Sequence, residues 1–199
     1  MVSNVQYATK KNGGMSFLTF RLVLRSKDGF SRNERLQIAY SQPYTYTRLL
    51  NLLTEVVESK RPPWLSLKVG KLGNSLGGLA IPLVIFGAKS AEAILSAYQK
   101  PVIVLSARVH PGEPPASFLV EGFIRAMISP ANAGMVQKLL TIAEVHVVPM
   151  HNPDGVIIGN SRVGLGGVDM NRRWGSGVLN PTVTPEVGAL KSYLKKFQN

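Results

Sequence analysis

The sequence predicts an α/β fold: a β-rich amino-terminal portion followed by an α/β domain with a crossover unit at its centre. Three observations carry this. Leu18, Phe20, Leu22 and Leu24 alternate with Thr19 and Arg21, the period of a half-buried strand. Two apolar runs, 102–109 and 143–150, stand on either side of a helical pattern, the layout of an α/β crossover. Both runs empty into unusual polar motifs, as expected where ligands bind at the carboxyl ends of sheet strands.

The elements follow in order. An Asp28-Gly29 turn and a second alternating run, Leu36, Ile38 and Tyr40, extend the sheet reading over residues 15 to 42. Leu49, Leu50, Leu52, Leu53, Val56 and Val57 recur at helical spacing, with Thr45 and Thr47 as capping candidates in front and Pro62-Pro63 behind. This amphipathic helix lies near a join, so residues 1–70 are expected as a β-rich domain with its linking helix and residues 71–199 as a second domain. Strand-like segments around Trp64 to Lys71 and Leu79 to Phe86 flank Gly73-Asn-Ser-Leu-Gly-Gly78, which reads as a turn; no Lys-Ser/Thr pair closes it into a phosphate loop. After strand 102–109, Pro114-Pro115 opens a helix with Leu119, Val120, Phe123, Ile124 and Met127 inward. A short second helix near Met135 to Leu140 precedes strand 143–150. A last helix starts at Thr184-Pro185-Glu186 and carries Val187, Leu190, Leu194 and Phe197 on one side.

Composition sets limits on function. With 45% apolar and 17% charged residues the chain is globular. Its apolar stretches, such as Ala80 to Ala88, are broken by proline or glycine and fall short of the roughly 20 residues that span a bilayer, so no membrane association is expected. Cysteine is absent, which excludes disulfides, and Met1 to Lys10 lacks the apolar stretch of a secretory signal, so the cytoplasm is the expected compartment. Twenty-three Lys plus Arg against eleven Asp plus Glu gives +12, a field that favours an acidic partner. The basic residues are scattered pairs (Lys10-Lys11, Lys60-Arg61, Arg172-Arg173, Lys195-Lys196), unlike a dedicated nucleic-acid arm. The field itself leaves the partner's chemistry open, with nucleic acid and an acidic protein tail both compatible.

Three short motifs could carry chemistry. His110-Pro-Gly-Glu113 follows the first apolar run, and imidazole and carboxylate are both zinc ligands. Asn152-Pro-Asp-Gly155 follows the second; its Asn and Asp suit bonds to nearby backbone, and Gly155 permits a positive φ. Val168-Asp-Met-Asn-Arg-Arg-Trp174 sets Asn171 beside Arg172, an amide and a guanidinium that could grip a carboxylate. Taken singly, each has a bland reading: a loop histidine, a turn, a polar surface.

Together and in this order they resemble the zinc carboxypeptidases, specifically the cytosolic carboxypeptidase branch that removes glutamates from tubulin and other acidic chains. The match covers Ser75 to about Trp174, and Ala39-Tyr-Ser-Gln-Pro-Tyr-Thr-Tyr46 resembles the end of that branch's amino-terminal β-sandwich domain. The resemblance implies an amino-terminal β-sandwich portion and then the first half of a carboxypeptidase-like mixed-sheet domain. It implies zinc held by His110 and Glu113, a substrate carboxylate held by Asn171 and Arg172, and Arg162 polarising the scissile carbonyl. Arg173 is read as structural or exposed and Trp174 as packing.

The sequence also departs from the family pattern. The third zinc ligand, a histidine, and the general base, a glutamate, have no matching positions. His146 lies mid-strand, His151 stands where the family has an apolar residue, and Glu121, Glu144 and Glu186 fall outside the base's motif. Val168 replaces a basic residue common in this branch. There is room for about half of an eight-stranded sheet, whose inner edge would be unpaired. These residues are accordingly expected to be a fragment, or a truncated member completed by a partner chain, and inactive alone. The competing expectation is a non-catalytic carboxypeptidase-like module that binds an acidic protein or a ribonucleoprotein.

Overall fold

The computed structural model describes residues 2–12, 15–24, 41–89, 100–175 and 182–197. The chain divides into two compact units, residues 1–40 and 41–199. In the first, β1 (Val2–Asn12) pairs antiparallel with β2 (Met15–Leu24), with Asn12 opposite Met15. The expected strand at 15–24 is present, but it pairs with a preceding strand that the alternation argument did not include. The Asp28-Gly29 turn and the run Leu36 to Tyr40 lie outside the described residues, and Ser41 and Gln42, expected as the end of the sheet, are not in a strand.

The second unit begins with α1 (Tyr46–Glu58), capped by Thr45, whose side chain accepts from the Arg48 amide at 3.1 Å. Leu49, Leu52, Leu53 and Val56 are its buried stripe; Leu50 and Val57 face solvent. Four strands then form a mixed sheet in the order β3 (Leu65–Asn74), β4 (Ala80–Ala88), β6 (Glu144–Val148), β5 (Val102–Ser106). The β3–β4 and β4–β6 pairs are antiparallel and β5–β6 is parallel. Pro82 fits within β4 because it lies at the β3 bulge between Lys71 and Gly73, outside the Val84–Phe86 stretch that pairs with β6.

Helices cover both faces, so the sheet's alternation is apolar on each side. On one face Val84, Phe86, Val145 and Val147 pack with α1, α2 (Pro114–Ile128) and α3 (Ala133–Ile142). On the other, Ile81, Leu83 and Val148 pack with Leu190 of α5 (Pro185–Leu194). A short helix, α4 (Pro153–Ile158), follows β6. Both expected strands of the crossover are present but shorter than their apolar runs. Among the described residues β5 pairs only with β6, which leaves its other edge without a strand. No described helix is long and apolar enough to cross a membrane.

One expected inward residue is corrected. Leu119 is 71% exposed: the buried face of α2 runs through Ser117, Val120, Glu121, Ile124 and Met127, and Leu119 falls on the opposite side. Phe197, in a 3-10 turn after α5, is 40% exposed and sets its ring against those of Tyr193 and His146. Glu121 occupies an inward place on α2 because it is paired there. It accepts from Arg48 Nε of α1 at 3.1 Å and from Arg125 Nε at 3.1 Å, while Arg125 also grips Glu55 with two bonds of 2.6 and 2.9 Å. A carboxylate thus joins the two helices.

Ile124→Ala is expected to cost about 2–5 kcal/mol of unfolding free energy, against under about 0.5 kcal/mol for Leu119→Ala. Urea unfolding of the two variants checks this; equal losses would contradict the observed helix face.

Candidate metal-binding site

The loops after β5 and β6 build the site. Beyond Ser106, Arg108 turns the chain with φ 60, an uncommon angle for a residue with a side chain. Its buried guanidinium holds that turn by donating to the Pro111 carbonyl (2.9 Å), the Ser117 hydroxyl (2.8 Å) and the Tyr44 carbonyl (3.2 Å). The His110–Glu113 loop is thereby folded onto the first turn of α2. Asn152, fully buried, donates to the Val109 carbonyl at 3.1 Å and accepts from the Gly155 amide at 3.0 Å, joining the two strand-end motifs.

Two glycines allow the loops to touch. Gly112 N donates to the Ser161 carbonyl at 2.7 Å, and a β-carbon at 112 would lie 2.6 Å from that oxygen. At Gly155 a β-carbon would overlap the Pro111 ring and lie 2.9 Å from the Val163 carbonyl. The sequence favoured Gly155 for a positive φ; the structure places it inside α4, where close approach of Pro111 excludes any side chain.

Asp169 gathers the charged groups. Its Oδ1 lies 3.0 Å from His110 Nε2 and accepts from the Asn171 amide at 2.9 Å, and its Oδ2 accepts from Arg162 Nε at 2.7 Å. Desolvation opposes its ionisation, but the bonds from His110, Arg162 and the Asn171 amide outweigh that and hold its carboxyl at about 2. An ionised carboxylate can only accept, so His110 Nε2 carries a proton. In a neutral imidazole Nδ1 is then a bare lone pair, and it faces Glu113 Oε1 at 3.1 Å. A proton on Nδ1, making an imidazolium between two carboxylates, or a metal cation in its place resolves that contact. The spacing is near the roughly 3.4 Å that separates two ligand atoms on tetrahedral zinc, and a carboxylate behind a ligating histidine is the usual second partner of such a ring. The donor set therefore fits zinc at two positions. Among the described residues no third His, Cys, Asp or Glu joins them.

The remaining candidates take distinct places. Arg162 is half exposed and bonded to Asp169. Asn171 and Arg172 are exposed on a 3-10 turn, Met170–Arg172, joined to the site through the Asn171 amide. Arg173 and Val168 are half-buried. His146 bonds Glu144 at 3.0 Å and the Tyr193 hydroxyl at 2.8 Å on the α5 side of the sheet. His151 is buried with Nε2 donating to the Glu186 carbonyl at 2.9 Å, and burial pushes its imidazole below the ordinary value. Glu186 is fully buried, accepting from the Leu76 amide at 2.9 Å, and burial raises its carboxyl. Sequence reasoning missed Asp169 and Arg108. Asp169 could have been found as the one acid inside the Val168–Trp174 motif; nothing in the sequence marks the turn at Arg108.

At the strand ends of the mixed sheet a histidine–glutamate pair is thus backed by an aspartate. The chain belongs to the zinc carboxypeptidase family, whose model matches residues 56–193. It is similar to cytosolic carboxypeptidase 1 of Mus musculus, 34% identical over 197 residues, and to cytosolic carboxypeptidase 4 of Homo sapiens, 37% identical over 160 residues. The alignments cover 97% and 77% of this chain, which spans 15% and 14% of those relatives. The crystal structure of a metallo-carboxypeptidase from Burkholderia cenocepacia superposes with a TM-score of 0.71 at 25% identity, over 96% of this chain and 46% of that one.

The low value of Asp169 has a pH consequence. Its folded value of about 2 lies below the ordinary 3.8, so its stabilising contribution is present above the ordinary value and lost as pH falls through about 2. Asp169→Asn is expected to remove that part of the acid dependence, measured by urea unfolding across the acid range; an unchanged slope would contradict the pairing. Gly155→Ala is expected to cost about 3 kcal/mol by overpacking, read in the same assay; a neutral result would contradict the close approach of Pro111.

Proposed function

We propose that these residues are the amino-terminal portion and first catalytic half of a zinc metallocarboxypeptidase that removes carboxy-terminal or side-chain glutamates from acidic proteins such as tubulin. The observation that carries the reading is the 3.1 Å approach of His110 Nδ1 to Glu113 Oε1, with Asp169 behind the ring. Family membership and similarity to cytosolic carboxypeptidases support it, as does the +12 charge, which attracts polyglutamate. On this reading β1 and β2 belong to an amino-terminal β-sandwich portion and the protein works in the cytoplasm.

His110 and Glu113 would hold zinc, which lowers the pKa of its bound water and polarises a carbonyl. Asp169 keeps the proton on Nε2 and aims Nδ1 at the metal position. Arg162, anchored through Nε to Asp169, keeps its terminal nitrogens for the substrate carbonyl. Asn171 and Arg172 bind the terminal carboxylate of the substrate. Among the described residues no third ligand joins this pair, and on this reading the chain alone is inactive. The two-donor set equally favours a second reading, a module that binds acidic chains without turning them over.

Zinc titration of the 199-residue chain tests the reading. Weak binding is expected, lost in His110→Ala and Glu113→Gln and weakened roughly 10–100-fold in Asp169→Asn. Zinc binding untouched by His110→Ala would sink the site. Glutamate release by the isolated chain would refute its inactivity, whereas retention of polyglutamate peptides independent of zinc would favour the binding module.

A further inference from the structure

We infer that Trp174 is a positioning residue: its indole N–H turns the Asn171 side chain so that the amide NH2 group faces outward as a donor to a bound carboxylate. The inference rests on the proposed role of Asn171 and Arg172 in holding that carboxylate.

Trp174 Nε1 donates to Asn171 Oδ1 at 2.8 Å. An indole N–H only donates, and a primary amide has one accepting and one donating end. The bond therefore selects one of the two amide flips, the one that leaves Nδ2 free of the indole. The opposite flip would set a carbonyl oxygen against an incoming carboxylate, an acceptor facing an acceptor. Asn171 is exposed, so its donating end is open to a ligand.

The selector is itself held. The Trp174 ring packs against the smaller core of Ile81, Leu83, Val148 and Leu190. His151 lies against it with ring centroids 5.9 Å apart, and the Trp174 carbonyl accepts from Lys191 Nζ at 2.8 Å. His151 is fixed in turn by its bond to the Glu186 carbonyl at the start of α5. Asn171 is thus gripped at both ends, its backbone amide by Asp169 and its side chain by a tryptophan seated on α5. The histidine at 151 becomes part of the support under that indole.

The test uses the 199-residue chain and N-acetyl-L-glutamate as probe. With tryptophan only at 64 and 174, Trp174→Phe assigns the two indole N–H signals by NMR. Asn171→Ala is expected to shift the Trp174 indole proton upfield; an unmoved signal overturns the inference. Trp174→Phe keeps a ring in place but removes the donor, and probe affinity is expected to fall roughly fivefold, the scale of one neutral hydrogen bond. In an Asn171→Ala background the same change is expected to cost nothing further, since Trp174 acts only through Asn171. Additive losses would show another route and overturn it. If Arg172→Ala and Asn171→Ala weaken binding but Trp174→Phe does not, the inference alone fails. If neither weakens it, or the wild-type chain does not take the probe, the carboxylate-site reading fails and the inference with it.

Discussion

One carboxylate collects donors from three separated stretches of chain. Asp169 accepts from His110 Nε2, Arg162 Nε and the Asn171 amide, all within 3.0 Å. Each contact alone would be an ordinary polar bond. Together they decide a tautomer, because a group that can only accept forces the proton onto Nε2 and turns the other nitrogen toward Glu113. The polarity of the whole candidate site follows from that choice. His110, Arg162 and Asn171 are oriented by the two oxygens of that one carboxylate.

The anchor holds only because the loops around it are immobilised by packing and by buried hydrogen bonds. Arg108 spends its guanidinium on two backbone carbonyls and a serine hydroxyl, with no carboxylate among those partners. A cation in that place fixes the chain path after β5 without competing for Glu113. Asn152 does the same between the two strand ends. Glycines at 112 and 155 remove the bulk that would separate the loops by more than a hydrogen bond.

Behind the site, the two faces of the sheet have different tasks. The α1–α2–α3 face is a large apolar core stitched at its rim by Glu121 and its arginines. The α5 face is smaller and more polar: Asp154 binds the Ser75 hydroxyl and the Gly77 amide at 2.7 Å each, and Glu186 takes the neighbouring Leu76 amide. Two buried acids therefore hold the turn between β3 and β4 against α4 and α5. The raised carboxyl of Glu186 reflects that burial, with the charge of Asp154 adding to it.

By itself the sequence determined the order of the second unit's strands and of α1, α2, α3 and α5, the Thr45 cap and the prolines that start α2 and α5, while the turn read at 152–155 is the start of α4. These are local matters: periodicity, a Thr45 side chain within reach of an amide three residues on, a proline that suits a first helical turn. The tertiary structure alone decided which partner β2 takes, that Leu119 faces solvent while Glu121 turns inward, that Gly155 is required by a neighbouring proline ring, and that Asp169 is the hub. Such choices depend on atoms tens of residues apart in sequence, and no local propensity encodes a distance between Pro111 and Gly155 or between His110 and Asp169. A side chain's neighbours across the fold, not its neighbours along the chain, settle whether a polar group is spent on structure or left for chemistry.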